Sequence, residues 1–104
     1  MEGHKIVIKN KSFTLSKNDM GKAIQCNNGV TITIPYSADM RSLLHLDTPT
    51  AIYNWSGGVY FNFSEGVKKT IMCSGYPNGI SEKYGGAQLE QKYPNTWELV
   101  GWLD

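Results

Sequence analysis

The chain has 104 residues, 10 basic and 9 acidic side chains, and a net charge of +1. That length allows one domain, because two halves would each lack a self-sufficient core. The charge balance lacks the basic excess that phosphate neutralisation demands, so nucleic acid is not an expected partner. Apolar residues make up 40% of the chain, too many for a disordered segment. No apolar run approaches the roughly 18 residues of a membrane span. Only 18% of residues are charged, while 12% are aromatic and 11 are glycine. This balance favours a turn-rich, all-β protein that shares apolar surface with partners.

Residues 4–9, HKIVIK, form the first strand signal. His4, Ile6 and Ile8 project to one side of it, and Lys5, Val7 and Lys9 to the other. The apolar stretch spans three residues, too few for a secretory signal. Residues 12–15 resume the β pattern. Ser16 and Asp19 then sit at capping-box spacing, with Leu15 placed as a staple and Gly21 as a stop, which predicts one helical turn. No other segment shows helical periodicity.

Residues 22–26 and 30–34 read as a hairpin. A three-residue loop of Asn27, Asn28 and Gly29 sets Cys26 opposite Val30 and Ile24 opposite Ile32, so that apolar faces apolar. Pro35 ends the second strand. Residues 43–47 form a further candidate strand, broken by Pro49. Residues 51–55 and 59–63 read as the next hairpin, around Gly57 and Gly58. Its inner face holds Ile52, Val59, Phe61 and Phe63, with Asn54 among them. Its outer face holds Tyr53, Trp55, Tyr60 and Asn62, an aromatic group where polar residues are usual.

Residues 70–74 form a short strand, followed by the turn cluster GYPNG. Residues 87–93 and 97–103 make the last hairpin, through Pro94, Asn95 and Thr96. That loop pairs Tyr93 with Trp97 and Lys92 with Glu98, and turns Gln91 inward opposite Leu99. No internal repeat is evident. The expected fold is all-β: a small antiparallel β-sandwich or flattened barrel with at most one short helical turn. Its expected core is Ile24, Val30, Ile32, Ile34, Val59, Phe61, Ile71, Leu89, Trp97 and Leu99.

Catalytic signals are weak. His4 and His45 are far apart, and neither lies near a nucleophile. The metalloprotease HExxH, the CxxC pair and the GxSxG elbow are missing. Gly57-Gly58 and Gly85-Gly86 do not lead into a helix, so they are not phosphate loops. The spacing of Cys26 and Cys73 suits two buried thiols, or a disulfide in an oxidising compartment. Asn-x-Ser sequons at Asn10, Asn54 and Asn62 matter only in a eukaryotic secretory protein. The expectation is a protein with no enzymatic activity and no cofactor or metal.

Several pieces, in order, resemble a small all-β module of tailed-bacteriophage virion proteins, found in tail, fibre, neck and head-decoration proteins. Phe13-Thr14-Leu15 leading to Asn18-Asp19-Met20-Gly21-Lys22 is similar to the module's opening. Val30-Thr31-Ile32-Thr33-Ile34-Pro35 is similar to its alternating run ending in Pro. Gly57-Gly58-Val59-Tyr60-Phe61, with Gly66-Val67 after it, is similar to its glycine turn and following strand. Tyr84-Gly85-Gly86-Ala87-Gln88-Leu89 and Thr96-Trp97-Glu98-Leu99-Val100-Gly101 are similar to its last two strands. The chain departs from the module at Met40-Arg41-Ser42-Leu43-Leu44, where the family often carries a glycine.

The resemblance implies a virion structural subunit, made in the host cytoplasm and docked on capsid or tail proteins. As the module stands nearly alone here, a small capsid-decorating, head-fibre or tail accessory role is expected, with copies associating, most simply as a trimer. Residues 1–11 precede the module, as an N-terminal arm or edge strand, and residues 12–104 form it. The expected partner-binding residues are His4, Lys5, Ile6, Val7, Ile8 and Lys9, as a strand that adds to a neighbour's sheet, with Lys5 and Lys9 left in water. The same segment serves equally as the first strand of the chain's own sheet. The alternative function is carbohydrate binding by a host-surface adhesin. Tyr53, Trp55 and Tyr60 would then stack on a host glycan, unless a loop or a neighbouring subunit covers them.

Overall fold

The computed structural model describes residues 6–36, 50–72, 79–81 and 83–101. The candidate strand at 43–47, His4, Lys5, His45, Cys73 and most of the GYPNG turn lie outside these residues, as does the side chain of Ile71. The described residues form ten strands and one 3-10 turn. The strands are β1 (Ile6–Lys9), β2 (Phe13–Thr14), β3 (Ala23–Cys26), β4 (Val30–Ile34), β5 (Thr50–Asn54), β6 (Val59–Phe63), β7 (Lys68–Met72), β8 (Gly79–Ile80), β9 (Gly86–Tyr93) and β10 (Thr96–Gly101). They build a six-stranded sheet, ordered β1-β3-β5-β9-β10-β7, and a four-stranded sheet, ordered β2-β4-β6-β8. The all-β, two-sheet architecture follows the sequence expectation.

The pairing direction does not. Five of the eight ladders are parallel, including β1 with β3, β3 with β5, β2 with β4 and β4 with β6. The expected hairpin of residues 22–26 and 30–34 is an arch: β3 belongs to one sheet and β4 to the other. The same correction applies to β5 and β6. In both cases the inward residues meet across the core instead of along a ladder. Ile24 and Cys26 on β3, and Val30, Ile32 and Ile34 on β4, are all fully buried. A period of two marks which side of a strand is apolar, and either arrangement buries that side.

The arches stack. Val7 pairs with Ile24 and Ile24 with Ile52 in one sheet. Phe13 pairs with Ile32 and Ile32 with Phe61 in the other. The chain therefore repeats a strand–arch–strand rung three times: β1/β2, β3/β4 and β5/β6. No repeat was expected from the sequence, because the links between rungs differ in length and composition. The turns hydrogen-bond from rung to rung: Asn27 N–H donates to the Lys9 carbonyl at 2.9 Å, and Trp55 N–H to the Cys26 carbonyl at 2.9 Å. Gly29 N–H reaches the Ser56 carbonyl at 3.1 Å.

The link from β2 to β3 carries the expected turn, Lys17–Asp19. The Ser16 N–H and hydroxyl both donate to Asp19 Oδ2, at 3.0 and 3.1 Å. Leu15 and Met20, the staple pair, are both buried in the core cluster. Gly21 ends the turn at φ +74, a left-handed conformation that glycine adopts without steric cost.

After β6 the pattern changes. β9 runs antiparallel to β5, and β10 folds back on β9. This last pair is the expected hairpin, with a corrected register: Tyr93 pairs with Thr96, and Trp97 with Gln91. The connection is the two-residue Pro94-Asn95, with Asn95 at φ +70. The register step leaves Lys92 as the extra residue of a bulge. The bulge keeps Trp97 and Leu99 on the core side, opposite Gln91 and Leu89. The Lys92 ammonium reaches Glu90 at 3.0 Å and Glu98 at 3.7 Å. Every expected core residue whose side chain is described is buried, and Leu15, Ile52 and Ile80 join them.

Candidate functional site

Among the described residues, the stack has an open end. β1 terminates the six-stranded sheet and β2 the four-stranded sheet. The segment proposed as an arm is thus paired along one side, in parallel with β3, and among the described residues no strand covers its other side. Ile6 and Ile8 project from the outer face and are 67% and 56% exposed. An unpaired edge carrying apolar side chains is a template for pairing with another chain.

Lys9 was expected to stay in water and guard this edge. It turns inward instead, because its place in the ladder is beside the buried Cys26. Its ammonium lies 3.5 Å from Asp19 Oδ1 and 4.5 Å from the centre of the Phe13 ring. Lys9 thus covers the end of the core, and Asp19 serves both the 3-10 turn and this ion pair.

The aromatic trio is divided. Because the arch separates β5 from β6, Tyr53 and Tyr60 lie on opposite outer faces of the sandwich. Each ring rests on glycine. A Cβ at Gly86 would come within 2.9 Å of Tyr53 Cδ1 and Cε1. One at Gly79 would meet Tyr60 Cδ1 at 3.3 Å. Exposed tyrosines lying across strand glycines replace packing that glycine cannot supply.

Trp55 associates with Tyr84, a residue that the sequence reading did not single out as a site. Their rings meet edge to face, 4.9 Å between centres and 73° between planes. Tyr84 holds φ +66, a rare conformation for a bulky side chain. The Tyr84 N–H donates to the Asn54 carbonyl at 2.6 Å, and the Asn54 N–H to the Gly85 carbonyl at 2.9 Å. The Tyr-Gly-Gly sequence held the signal for this turn, since two glycines after a tyrosine permit close backbone approach. Asn54, the polar residue among core positions, is explained here as well. Its Oδ1 accepts the Gly58 N–H at 3.0 Å and holds the arch from within.

Tyr53 and Tyr84 flank a shallow depression of about 530 Å³ on the outer face of the six-stranded sheet, which also includes Ala51, Gln88, Val100 and Gly101.

Among the described residues, no three His, Cys, Asp or Glu side chains cluster as a metal site. Cys26 is a free, fully buried thiol. Burial pushes its pKa up to about 12 against the opposing charge of Lys9, which removes the thiolate a nucleophile requires. No helix among the described residues is long and apolar enough to cross a membrane. No family model, curated protein or solved structure matches the chain.

Proposed function

We propose that the chain is a structural subunit of a bacteriophage particle, a small capsid-decorating, head-fibre or tail accessory protein. It docks on other virion proteins through the open end of its stack. The observation that carries this reading is the β1 edge, with Ile6 and Ile8 exposed beside a row of main-chain groups that no strand among the described residues pairs. The sequence resemblance to virion β modules supports the particle as the setting. The role is one of attachment, with no catalytic step.

Docking by strand addition uses two terms. Main-chain hydrogen bonds to β1 contribute about 0.5–1.5 kcal/mol each. Covering Ile6 and Ile8 adds about 2–4 kcal/mol together, as both are already partly buried. These are modest energies for one contact. Assembly of several copies, for which we propose a trimer, multiplies them through effective concentration.

The test is co-sedimentation with phage particles that lack their own copy. The variant combines Ile6→Asp with Ile8→Asp, two exposed positions whose change leaves the core intact. The variant is expected to keep the wild-type circular dichroism spectrum and to lose particle binding. A folded variant that sediments with particles as the wild type does would refute the reading.

A further inference from the structure

The outer face of the six-stranded sheet carries a second surface, remote in character from the β1 edge. We propose that the depression between Tyr53 and Tyr84 binds a neutral saccharide. The proposal stands apart from the docking role and would hold for this chain in another setting.

Three observations support it. First, Tyr53 is fixed as a platform: its ring lies over Gly86, and the residue as a whole is 39% exposed. A ring held against backbone loses little freedom when a ligand stacks on it. Second, Tyr84 is 60% exposed yet placed by its contact with Trp55 and by a strained backbone. Non-glycine residues in such conformations concentrate at ligand clamps. Third, the floor stays low for steric reasons. A Cβ at Gly101 would come within 2.7 Å of the Gly86 carbonyl oxygen.

The chemistry of the lining selects the ligand. The depression, about 530 Å³, is open to solvent. No lining residue is charged. Lys83, outside the lining, sits over the Tyr84 ring, 5.1 Å from its centre. Side-chain hydrogen bonding comes from the two tyrosine hydroxyls and the Gln88 amide, which both donate and accept. A pyranose offers an apolar C–H face for the rings and a rim of neutral hydroxyls for these groups. A phosphate or carboxylate ligand would find no cation in the lining.

The notional single patch of Tyr53, Trp55 and Tyr60 is replaced here by Tyr53 and Tyr84, with Trp55 positioning the latter. Tyr60, on the other sheet, is the internal control.

The experiment titrates the labelled full chain with maltohexaose, cellohexaose and tri-N-acetylchitotriose, and with sialyllactose as the acidic arm, following backbone amide shifts. Saturable shifts at Tyr53, Gly86, Gln88 and Gly101 are expected with at least one neutral probe. Tyr84→Asn removes the ring while suiting the left-handed backbone, and should weaken binding about tenfold. Tyr53→Ala should do the same, and Tyr60→Ala should leave affinity unchanged. Should Tyr53→Ala fail to fold, Tyr84→Asn decides alone. The proposal falls if no neutral probe gives a saturable shift, if only sialyllactose binds, or if Tyr84→Asn binds as the wild type does.

Discussion

Gly57→Ala probes the stacked arches at their tightest point. Gly57 holds φ +83, which strains any L side chain by about 1–2 kcal/mol. A Cβ there would also lie 2.2 Å from the Gly29 nitrogen and 2.7 Å from the Asn28 carbonyl carbon. Both are backbone atoms of the neighbouring rung, so no rotamer change relieves the overlap. Overpacking of this kind costs about 1–3 kcal/mol, which brings the total to about 2–5 kcal/mol. Gly58→Ala provides the comparison. Its φ of +90 imposes the same backbone strain, but the closest atom is the Tyr60 hydroxyl at 3.3 Å. Tyr60 is 53% exposed, and its hydroxyl end need shift by only a few tenths of an ångström, so about 1–2 kcal/mol is expected. Urea unfolding reads the difference: with m of about 1–3 kcal/mol/M, Gly57→Ala should lower the midpoint by about 0.7–5 M and Gly58→Ala by less. Separate hairpins would keep Gly29 and Gly57 apart. Equal midpoints for the two variants would therefore refute the stacked-arch arrangement.

Ile32→Ala, at the middle of β4, should cost about 2–5 kcal/mol in the same assay, against a total stability of about 5–15 kcal/mol; a wild-type melt would contradict its place in the core. Asn54→Leu leaves the Gly58 N–H without its acceptor and should cost about 1–3 kcal/mol in the same assay; an unchanged midpoint would show that this bond does not hold the arch. The Cys26 thiol has its pKa raised from 9.0 to about 12 by burial. Its contribution is fully present below pH 9 and is lost as pH rises through about 12. Wild-type stability should therefore fall more steeply over that window than that of Cys26→Ala, measured as urea midpoint against pH; parallel curves would show that the thiol is not shielded.

The inward residues were legible because alternation reports side-chain direction directly. Val30, Ile32 and Ile34 on β4, and Leu89 and Leu99 on the last hairpin, all lie where the pattern put them. Strand partners were not legible. Ile24 opposite Ile32 is equally sensible across a ladder and across a core, and the loop Asn27-Asn28-Gly29 serves an arch as well as a hairpin. Backbone hydrogen bonds decide between them, and those depend on rungs distant in sequence. Trp97 moved from Tyr93 to Gln91 for a related reason: a bulge at Lys92 has no signature in side-chain alternation. At the candidate sites, Ile6 and Ile8 are exposed on the side opposite the inward Lys9, against the expectation for that lysine, whereas exposure of Tyr53, Trp55 and Tyr60 followed from the pattern. Their grouping did not, since it rests on which sheet each strand joins. Tyr84 escaped notice because its importance comes from a turn that closes onto Asn54, thirty residues earlier.

The attachment surface is tested most directly by a density map of the particle that resolves individual strands. The account predicts this chain on the particle surface, with a neighbouring protein's strand laid beside β1 on the side away from β3, Ile6 and Ile8 covered, and Tyr53 and Tyr84 open to solvent. A particle without the chain, or one in which β1 faces solvent while another surface makes the contact, would contradict it.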